Sequence, residues 1–193
     1  MIKIENVTYT YEAGSAPSLK NISLEIKQGE FVLLCGQSGC GKSSLIRLLN
    51  GMIPNFYEGK MEGTVLVEGE ETPTLPMYKI AKKTGTVFQN PRTQFYTINT
   101  TSEIAFGLEN MGVERAEIHR RVKETAEQLQ IEDLMNRSIF ELSGGEKQII
   151  AFASVYAMDP DIYVLDEPSA NLDFSAIRRM RKILELLKSK GKT

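Results

Sequence analysis

Long apolar runs and targeting signals are missing from this 193-residue chain. No stretch approaches the roughly 20 apolar residues needed to cross a bilayer. If the protein acts at a membrane, we therefore expect it to act from outside the lipid. The first five residues alternate like a strand, without the apolar core and small-residue cleavage site of a secretory signal. The sequence therefore predicts a cytoplasmic protein.

The chain also has no excess of basic charge. Its formal net charge is -2, and its Lys and Arg residues are dispersed along the sequence. Nucleic-acid binding needs positive charge gathered on one face of a domain. We therefore expect no nucleic-acid partner.

Cysteine and histidine are scarce. The chain has two cysteines, Cys35 and Cys40, and one histidine, His119. No second cysteine pair and no nearby histidine completes a metal site, so we expect one buried strand cysteine and one loop cysteine. His119 lies among basic residues on a predicted surface helix, where a solvated side chain is expected.

The hydrophobic pattern predicts one α/β domain over residues 1–193, with a helical insertion at about residues 95–155. Residues 2–11 and 20–27 alternate apolar and polar, which is typical of half-buried antiparallel strands. Within the helical region, Thr100 and Glu103 fit a capping box. A buried strand at 162–165 and an amphipathic helix that stops near Gly191 follow.

A glycine-rich segment joins the apolar run Glu30–Cys35, a predicted buried strand, to a predicted helix. It matches GxxxxGK[ST], in which backbone N-H groups and the helix N-terminus hold phosphates. Lys42 is expected to reach the terminal phosphates, and Ser43 to bind Mg²⁺. The alternative is a glycine turn that only packs. The predicted nucleotide-binding residues here are Gly36, Ser38, Gly39, Cys40, Gly41, Lys42, Ser43 and Ser44.

Two adjacent carboxylates end the strand at 162–165. Asp166 is placed to bind Mg²⁺, and Glu167 to polarise a water that attacks the γ-phosphate. A strand that ends in solvated acids is the alternative. Because a glutamate follows the aspartate, the pattern favours ATP hydrolysis over silent binding.

The segment LSGGEKQ, residues 142–148, begins another predicted helix. Ser143 and Glu146 fit a capping box, so one interpretation is a well-made helix start. The glycines exceed that need, and a helix N-terminus with a serine hydroxyl is also an anion site. We therefore predict a second phosphate-binding surface at Ser143, Gly144, Gly145 and Glu146.

Together, the phosphate loop, LSGGEKQ and the strand ending LDEPSANLD resemble the ATP-binding cassette of ABC proteins over essentially the whole chain. The resemblance implies a P-loop fold with a core sheet, an N-terminal antiparallel β subdomain and an inserted helical subdomain. It implies that two cassettes face each other, so that the second phosphate surface closes over the partner's ATP. It assigns stacking on adenine to Tyr11. It assigns to Gln89 both contact with Mg²⁺ and transmission of movement to the membrane partner. Asp173 would be the acid of the loop that crosses the interface of the dimer.

Within that family, the segment VFQNP at 87–91 and AFGLEN at 105–110 resemble ATPases of energy-coupling-factor importers. These importers take up vitamins or transition-metal ions such as cobalt. The resemblance implies ATP and Mg²⁺ as ligands and integral membrane partners in separate chains. It also implies a second ABC ATPase, identical or paralogous, and a location on the inner face of the cell membrane.

One expected part of that family's pattern is not found before Thr193, namely a strand ending in a histidine that contacts the γ-phosphate. His119 precedes LSGGEKQ and cannot replace it. We therefore expect that the C-terminal part of the fold is absent and that this chain binds ATP without efficient turnover. Two alternatives stay open: a soluble ABC ATPase not coupled to transport, and a nucleotide-binding assembly module with little turnover.

Overall fold

The computed structural model describes residues 1–170 and 172–193. Asn171, which belongs to the predicted LDEPSANLD segment, lies outside the described residues. The chain divides into two compact units. Unit 1 comprises Met1–Thr84, Asp161–Val164 and Lys188–Thr193, and unit 2 comprises Gly85–Pro160 and Leu165–Leu187.

A four-stranded antiparallel sheet forms the first part of unit 1. Its strands have the order β2-β1-β3-β4. Alternation along β1 sends Ile2 and Ile4, and then Val7 and Tyr9, into the core. Two residues separate Ile4 from Val7, and the pairing with β2 and β3 shifts register there, which brings Val7 back to the buried face. The strands are β1 (Ile2–Tyr11), β2 (Leu19–Ile26), β3 (Gly59–Val67) and β4 (Glu70–Glu71). The predicted N-terminal antiparallel subdomain is confirmed.

Three helices complete the first 84 residues. Helix α1 sends Leu45, Leu48 and Leu49 into the same hydrophobic cluster as the inward side chains of β1 and β3. Ile162 and Val164 of the strand β6 belong to that cluster too. The elements are α1 (Lys42–Leu49), α2 (Met52–Asn55), α3 (Met77–Lys83) and β6 (Ile162–Leu165). The helix that carries the phosphate loop is therefore anchored on the antiparallel sheet.

The predicted buried strand at Glu30–Cys35 is not formed. Residues 30–37 have no strand or helix assignment, and Leu33 is 86% exposed. Cys35, expected in a buried strand, is exposed as well. The physical reason is that an apolar run becomes a buried strand only when neighbouring strands hydrogen-bond to its edges and other elements cover its two faces. No strand in the described part of the chain pairs with these residues.

Unit 2 begins in β5 (Thr84–Val87), continues as helices and includes most of the last helix. Helix α6 packs against α4 and α5 and is buried on nearly all sides, which explains its continuous apolar sequence. The helices are α4 (Thr100–Asn110), α5 (Arg115–Leu129), α6 (Gly144–Met158) and α7 (Phe174–Ser189). Short 3₁₀ turns occupy Thr72–Thr74, Pro91–Thr93, Glu132–Leu134 and Ile139–Glu141.

The start of α4 differs from the predicted capping box. Asn99, not Thr100, is the N-cap, and its side chain accepts from the backbone N-H groups of Thr101 and Ser102. The buried Glu103 carboxylate instead accepts from the backbone N-H groups of Tyr96 and Thr97, at 3.1 and 2.8 Å. Because Asn99 also forms a β-bridge to Ser138, chain pairing sets where the helix begins. Local spacing alone placed the cap one residue too late.

Candidate functional site

The phosphate-loop motif leads directly into α1, whose first turn carries no side-chain cap. Gly41 is the N-cap residue and has a φ of 96°. A Cβ atom built there would lie 2.6 Å from the Ser18 carbonyl oxygen, so only glycine fits this backbone. The first N-H groups of a helix have no partner within the helix. The start of α1 is therefore suited to an anion that supplies the missing acceptors.

Lys42, the first residue of α1, folds back over the loop. Its Nζ donates to the carbonyl oxygens of Gly36 and Gln37, at 2.8 and 2.9 Å, and lies 3.8 Å from the Cys40 sulfur. Ser43, the next helical residue, is exposed. The structure thus gathers the ammonium group, the loop backbone and a serine hydroxyl of the predicted phosphate site within unit 1.

Tyr11 lies at the end of β1 and reaches α1. Its hydroxyl is 3.0 Å from the Ser44 hydroxyl, and its ring is half-buried. The predicted adenine-stacking residue and the predicted phosphate helix are therefore joined by a direct hydrogen bond. Sequence reasoning missed Arg47, which donates to the Tyr11 hydroxyl at 2.8 Å. Its position one helical turn after Ser44 is the signal that would have found it.

In unit 2, two predicted catalytic residues meet although 78 positions separate them in the sequence. The Gln89 Nε2 donates to Glu167 Oε2 at 2.8 Å. Asp166 follows β6, and its backbone N-H donates to the Val87 carbonyl oxygen at 3.0 Å, which brings the ends of β6 and β5 together. Glu167 is exposed and has a φ of 47°, a conformation that costs a non-glycine residue energy.

Two other glutamines hold the segment that carries Gln89. Gln94 accepts from the Phe88 N-H at 3.3 Å and donates to the Thr86 carbonyl oxygen at 3.2 Å. Gln148 of α6 donates to the Phe88 carbonyl oxygen at 3.4 Å. Neither glutamine was among the predicted site residues, because nothing in the local sequence shows that both reach the backbone of Phe88. The start of the Gln89 segment is thus tied to the helix that begins at LSGGEKQ.

The start of α6 has the complete predicted capping box. The Ser143 hydroxyl accepts from the Glu146 N-H at 3.2 Å, and Glu146 Oε2 accepts from the Ser143 N-H at 2.7 Å. The bond from the Ser143 backbone N-H, a further bond from the Ser143 side chain and Arg137 at 3.3 Å together hold the pKa of the Glu146 carboxyl below its usual 4.5.

The two glycines of LSGGEKQ have different surroundings. A Cβ built on Gly145 would lie 2.8 Å from the Ala176 Cβ, whereas one on Gly144 would meet nothing within 4 Å. Asp173, just before Ala176, caps α7 by accepting from the Ala176 N-H at 2.7 Å. The predicted seam residue Asp173 therefore has a local role in starting a helix that packs against Gly145.

Metal and membrane features are few in the described chain. Both cysteines are free, and residues 1–170 and 172–193 contain no cluster of three or more His, Cys, Asp or Glu side chains that would hold a metal. No helix in that same part is both long and apolar enough to span a bilayer. His119 is exposed on α5, as expected.

Comparison with protein families gives a match to the family model described as "ABC transporter" over residues 19–170. A putative ABC transporter ATP-binding protein of Treponema denticola is 49% identical over all 193 residues, which cover 40% of that protein. A putative ABC transporter ATP-binding protein of Pyrococcus abyssi is 39% identical over 192 residues, which cover 69% of its length. The chain thus spans about two-fifths of the Treponema relative.

Solved structures share the fold. CbiO1 from Clostridium perfringens, part of the ABC transporter complex cbiONQ, superposes with a TM-score of 0.85 at 30% identity, covering 98% of this chain and 74% of that chain. The ATP-binding cassette MJ0796, solved as a post-hydrolysis dimer bound to ADP and Pi, gives 0.84 at 30% identity, covering 100% and 85%. The predicted fold class is thereby confirmed.

Proposed function

This chain belongs to the ABC transporter family, and from that premise we propose that it binds and hydrolyses ATP to power a membrane transporter. The hydrogen bond between Gln89 and Glu167 carries the proposal. This bond holds Gln89, which is assigned to contact Mg²⁺ and the membrane partner, beside the Glu167 carboxylate, which is assigned to activate water. A strand that merely ended in solvated acids would not need this partner.

Phosphate binding is assigned to unit 1. The uncapped start of α1 offers backbone N-H groups, and Lys42 offers an ammonium that now rests on two loop carbonyls. A bound phosphate would draw that ammonium from the carbonyls, because a charged oxygen is the stronger acceptor. Tyr11 supplies an aromatic face for adenine at the end of β1.

Mg²⁺ is the proposed metal partner, and the chemistry of the residues assigned to it is suitable, because Mg²⁺ prefers hard oxygen ligands. In unit 1 the assigned ligand is the Ser43 hydroxyl. In unit 2 the assigned ligands are the Asp166 carboxylate and the amide oxygen of Gln89, whose Nε2 donates to Glu167. When bound, the ion would neutralise phosphate charge. Glu167 is left to orient and deprotonate water.

We further propose a dimer with two shared ATP sites. The chain offers two helix starts assigned to phosphate, at α1 and at α6, and one nucleotide needs only one of them. A two-fold dimer would use both helix starts, because the start of α1 in one subunit would then face the start of α6 in its partner. The dimeric state of the MJ0796 cassette supports this arrangement. The partner is an identical or paralogous cassette.

The narrower proposal is an energy-coupling-factor importer of a vitamin or a transition-metal ion such as cobalt. It rests on the VFQNP and AFGLEN segments and on the likeness to CbiO1 of the cbiONQ complex. In this proposal the chain lies on the inner face of the cell membrane and contacts integral membrane subunits encoded separately. The helical region at about 95–155 is the proposed inserted subdomain.

Glu167→Gln tests the hydrolytic part. The amide keeps the size and hydrogen-bonding capacity but cannot accept a proton, so turnover should fall about 100-fold or more while ATP binding persists. Phosphate release and ATP affinity are measured on the same preparation. Glu185→Gln, on an exposed part of α7 away from the site, is the control and should match the parent. Turnover is compared in a C-terminally extended chain, since this chain by itself is expected to turn over inefficiently, and parental turnover by Glu167→Gln there would support the nucleotide-binding assembly module instead.

Purification from native membranes tests the transport part. The protein is extracted in mild detergent, affinity-purified, and the copurifying proteins are identified. Integral membrane subunits should copurify, and a substrate-capturing subunit among them would identify the solute. Only soluble partners or nucleic acid would contradict transport and favour a soluble ABC ATPase.

A further inference from the structure

Arg47 is an arginine whose contacts are aromatic. Its Nη1 donates to the Tyr11 hydroxyl at 2.8 Å, and its guanidinium carbon lies 4.1 Å from the centre of the Tyr57 ring. Within the described chain it forms no ion pair with a carboxylate. Ordering a long arginine side chain costs conformational entropy, and these aromatic contacts are what offset it here.

The tyrosines around Arg47 form a fixed cluster, which we call the tyrosine cluster: Tyr9, Tyr11 and Tyr57. The Tyr11 ring forms T-shaped contacts with both others, with centroids 4.8 Å from Tyr9 and 6.0 Å from Tyr57. Tyr9 is fully buried and its hydroxyl donates to the carbonyl oxygens of Tyr57 and Glu58. Burial raises the pKa of Tyr9 above its usual 10.0, so this donor keeps its proton.

The cluster is joined to the phosphate helix at two points. Ser44, only 7% exposed, lies 3.0 Å from the Tyr11 hydroxyl and directly follows Ser43. Arg47 binds the same hydroxyl from the next turn of α1. Both residues hydrogen-bond the Tyr11 hydroxyl, and the Arg47 guanidinium carbon lies 6.0 Å from the centre of the Tyr11 ring. Tyr11 also lines an open pocket with Thr10 and Gly59.

We propose that Arg47 is a positioning residue that fixes the Tyr11 ring relative to the phosphate helix for stacking of the nucleotide base. This inference rests on the proposed function, in which Tyr11 stacks on adenine. Because Arg47 holds Tyr11 by its hydroxyl and is itself held on Tyr57, the ring is ordered before ATP arrives. A preordered ring loses less entropy on binding.

The proposal separates base binding from phosphate binding. Loss of Arg47 frees the Tyr11 ring but removes nothing from the phosphate loop or from Lys42. Affinity for ATP should therefore fall, whereas affinity for inorganic tripolyphosphate, which has no base, should remain. A merely structural arginine would lower both affinities together or neither.

The experiment is calorimetric titration of ATP and of tripolyphosphate, each with Mg²⁺, into the parent and Arg47→Met. We expect ATP to bind roughly three- to tenfold more weakly to the variant, and tripolyphosphate to bind within twofold of the parent. Arg181→Met, at an exposed arginine of α7 paired with Glu185, is the matched control and should change neither constant. Equal weakening of both ligands would overturn the proposal.

A double-mutant cycle identifies the route of the effect. Tyr11→Phe keeps the ring and removes the hydroxyl that both Arg47 and Ser44 contact, so it should weaken ATP binding at least as much as Arg47→Met. The double variant should bind ATP no more weakly than Tyr11→Phe alone, because the bond between Arg47 and Tyr11 is already lost in Tyr11→Phe. Additive effects would show that Arg47 acts elsewhere and would overturn the proposal.

Tyr57→Leu is the second variant if Arg47→Met fails to fold. It removes only the ring beneath the guanidinium and should weaken ATP, but not tripolyphosphate, by a smaller factor. Tyr11→Ala tests the underlying assignment. If Tyr11→Ala binds ATP like the parent, Tyr11 does not stack on adenine, and the proposed function loses that residue. If Tyr11→Ala weakens ATP and Arg47→Met does not, only the positioning role is lost.

Discussion

The helices α1 and α6 both begin with small residues and are both assigned to phosphate, yet they are capped differently. Gly41 ends the phosphate loop in a left-handed conformation and provides no side-chain acceptor. Ser143 and Glu146 satisfy each other's backbone N-H groups in a complete capping box. An uncapped start is completed by its ligand, whereas a capped start is complete before a ligand arrives.

This difference explains how the work can be divided. The N-H groups at α1 have no competing side chain, so α1 is suited to hold the nucleotide within its own chain. At α6 the capping box already occupies the N-H groups of Ser143 and Glu146, so fewer backbone donors remain for a ligand. Such a surface is suited to closing over a phosphate that another chain already holds.

Lys42→Ala should produce the largest effect on the comparison, because it removes the positive side-chain charge from the first turn of α1. We expect ATP affinity to fall about 100-fold or more, since a charged hydrogen-bond partner of the phosphates is lost. Calorimetric titration measures it, with Lys82→Ala on the exposed face of α3 as control. Retention of ATP binding and turnover by Lys42→Ala would remove the loop from the mechanism.

Exchanging a glycine for alanine sharpens the same comparison through stability. Gly41→Ala places a Cβ 2.6 Å from the Ser18 oxygen in a left-handed backbone, and should cost roughly 2 kcal/mol or more. Gly144→Ala, with no atom within 4 Å, should stay within about 0.5 kcal/mol of the parent. Thermal unfolding measures both. Similar losses would show that the two helix starts are equally constrained.

Ser143→Ala removes the cap that α1 lacks. Loss of the acceptor for the Glu146 N-H should destabilise the protein by about 1 kcal/mol. Ser143→Thr keeps an acceptor hydroxyl and should recover most of the loss. Chemical unfolding compares the three proteins, and an alanine variant as stable as the parent would mean that the capping box contributes nothing.

The smallest expected effect is on the pH dependence of stability, through the Glu146 carboxylate. The pKa of Glu146 lies below 4.5 in the folded protein, so its ionised form contributes stability above that value and loses it as the pH falls through the folded pKa. Glu146→Gln should make stability less dependent on pH below about 4.5. Unfolding free energy is measured from pH 6 down to the acid limit. Identical pH profiles would show that Glu146 gains nothing from the cap.

Short sequence spacing predicted the features that depend on near neighbours. The capping box of Ser143 and Glu146, the glycine at 41 and the strand before Asp166 all follow from residues within a few positions. The pairing of Gln89 with Glu167 was not visible in local spacing, and only the family resemblance brought these residues into one site. Only folding of the chain brings Gln89 and Glu167 into contact.

Two predictions failed because tertiary contacts decide them. The run Glu30–Cys35 has the composition of a buried strand, but no described strand supplies partners, so its apolar side chains remain exposed. Asn99 replaced Thr100 as a helix cap because the chain pairs with Ser138 there. The composition of a segment shows which secondary structure it can form, and contacts with neighbouring elements decide whether that structure forms.

By itself, the sequence determined the chemistry of the two helix starts that are assigned to phosphate, because capping and glycine conformation depend on residues close together in the chain. Only the tertiary structure decided that Arg47 binds Tyr11 over 36 positions and rests on Tyr57, and that Gln89 meets Glu167 over 78. Such contacts depend on how strands and helices pack, and side-chain packing across long separations leaves no periodic trace in sequence.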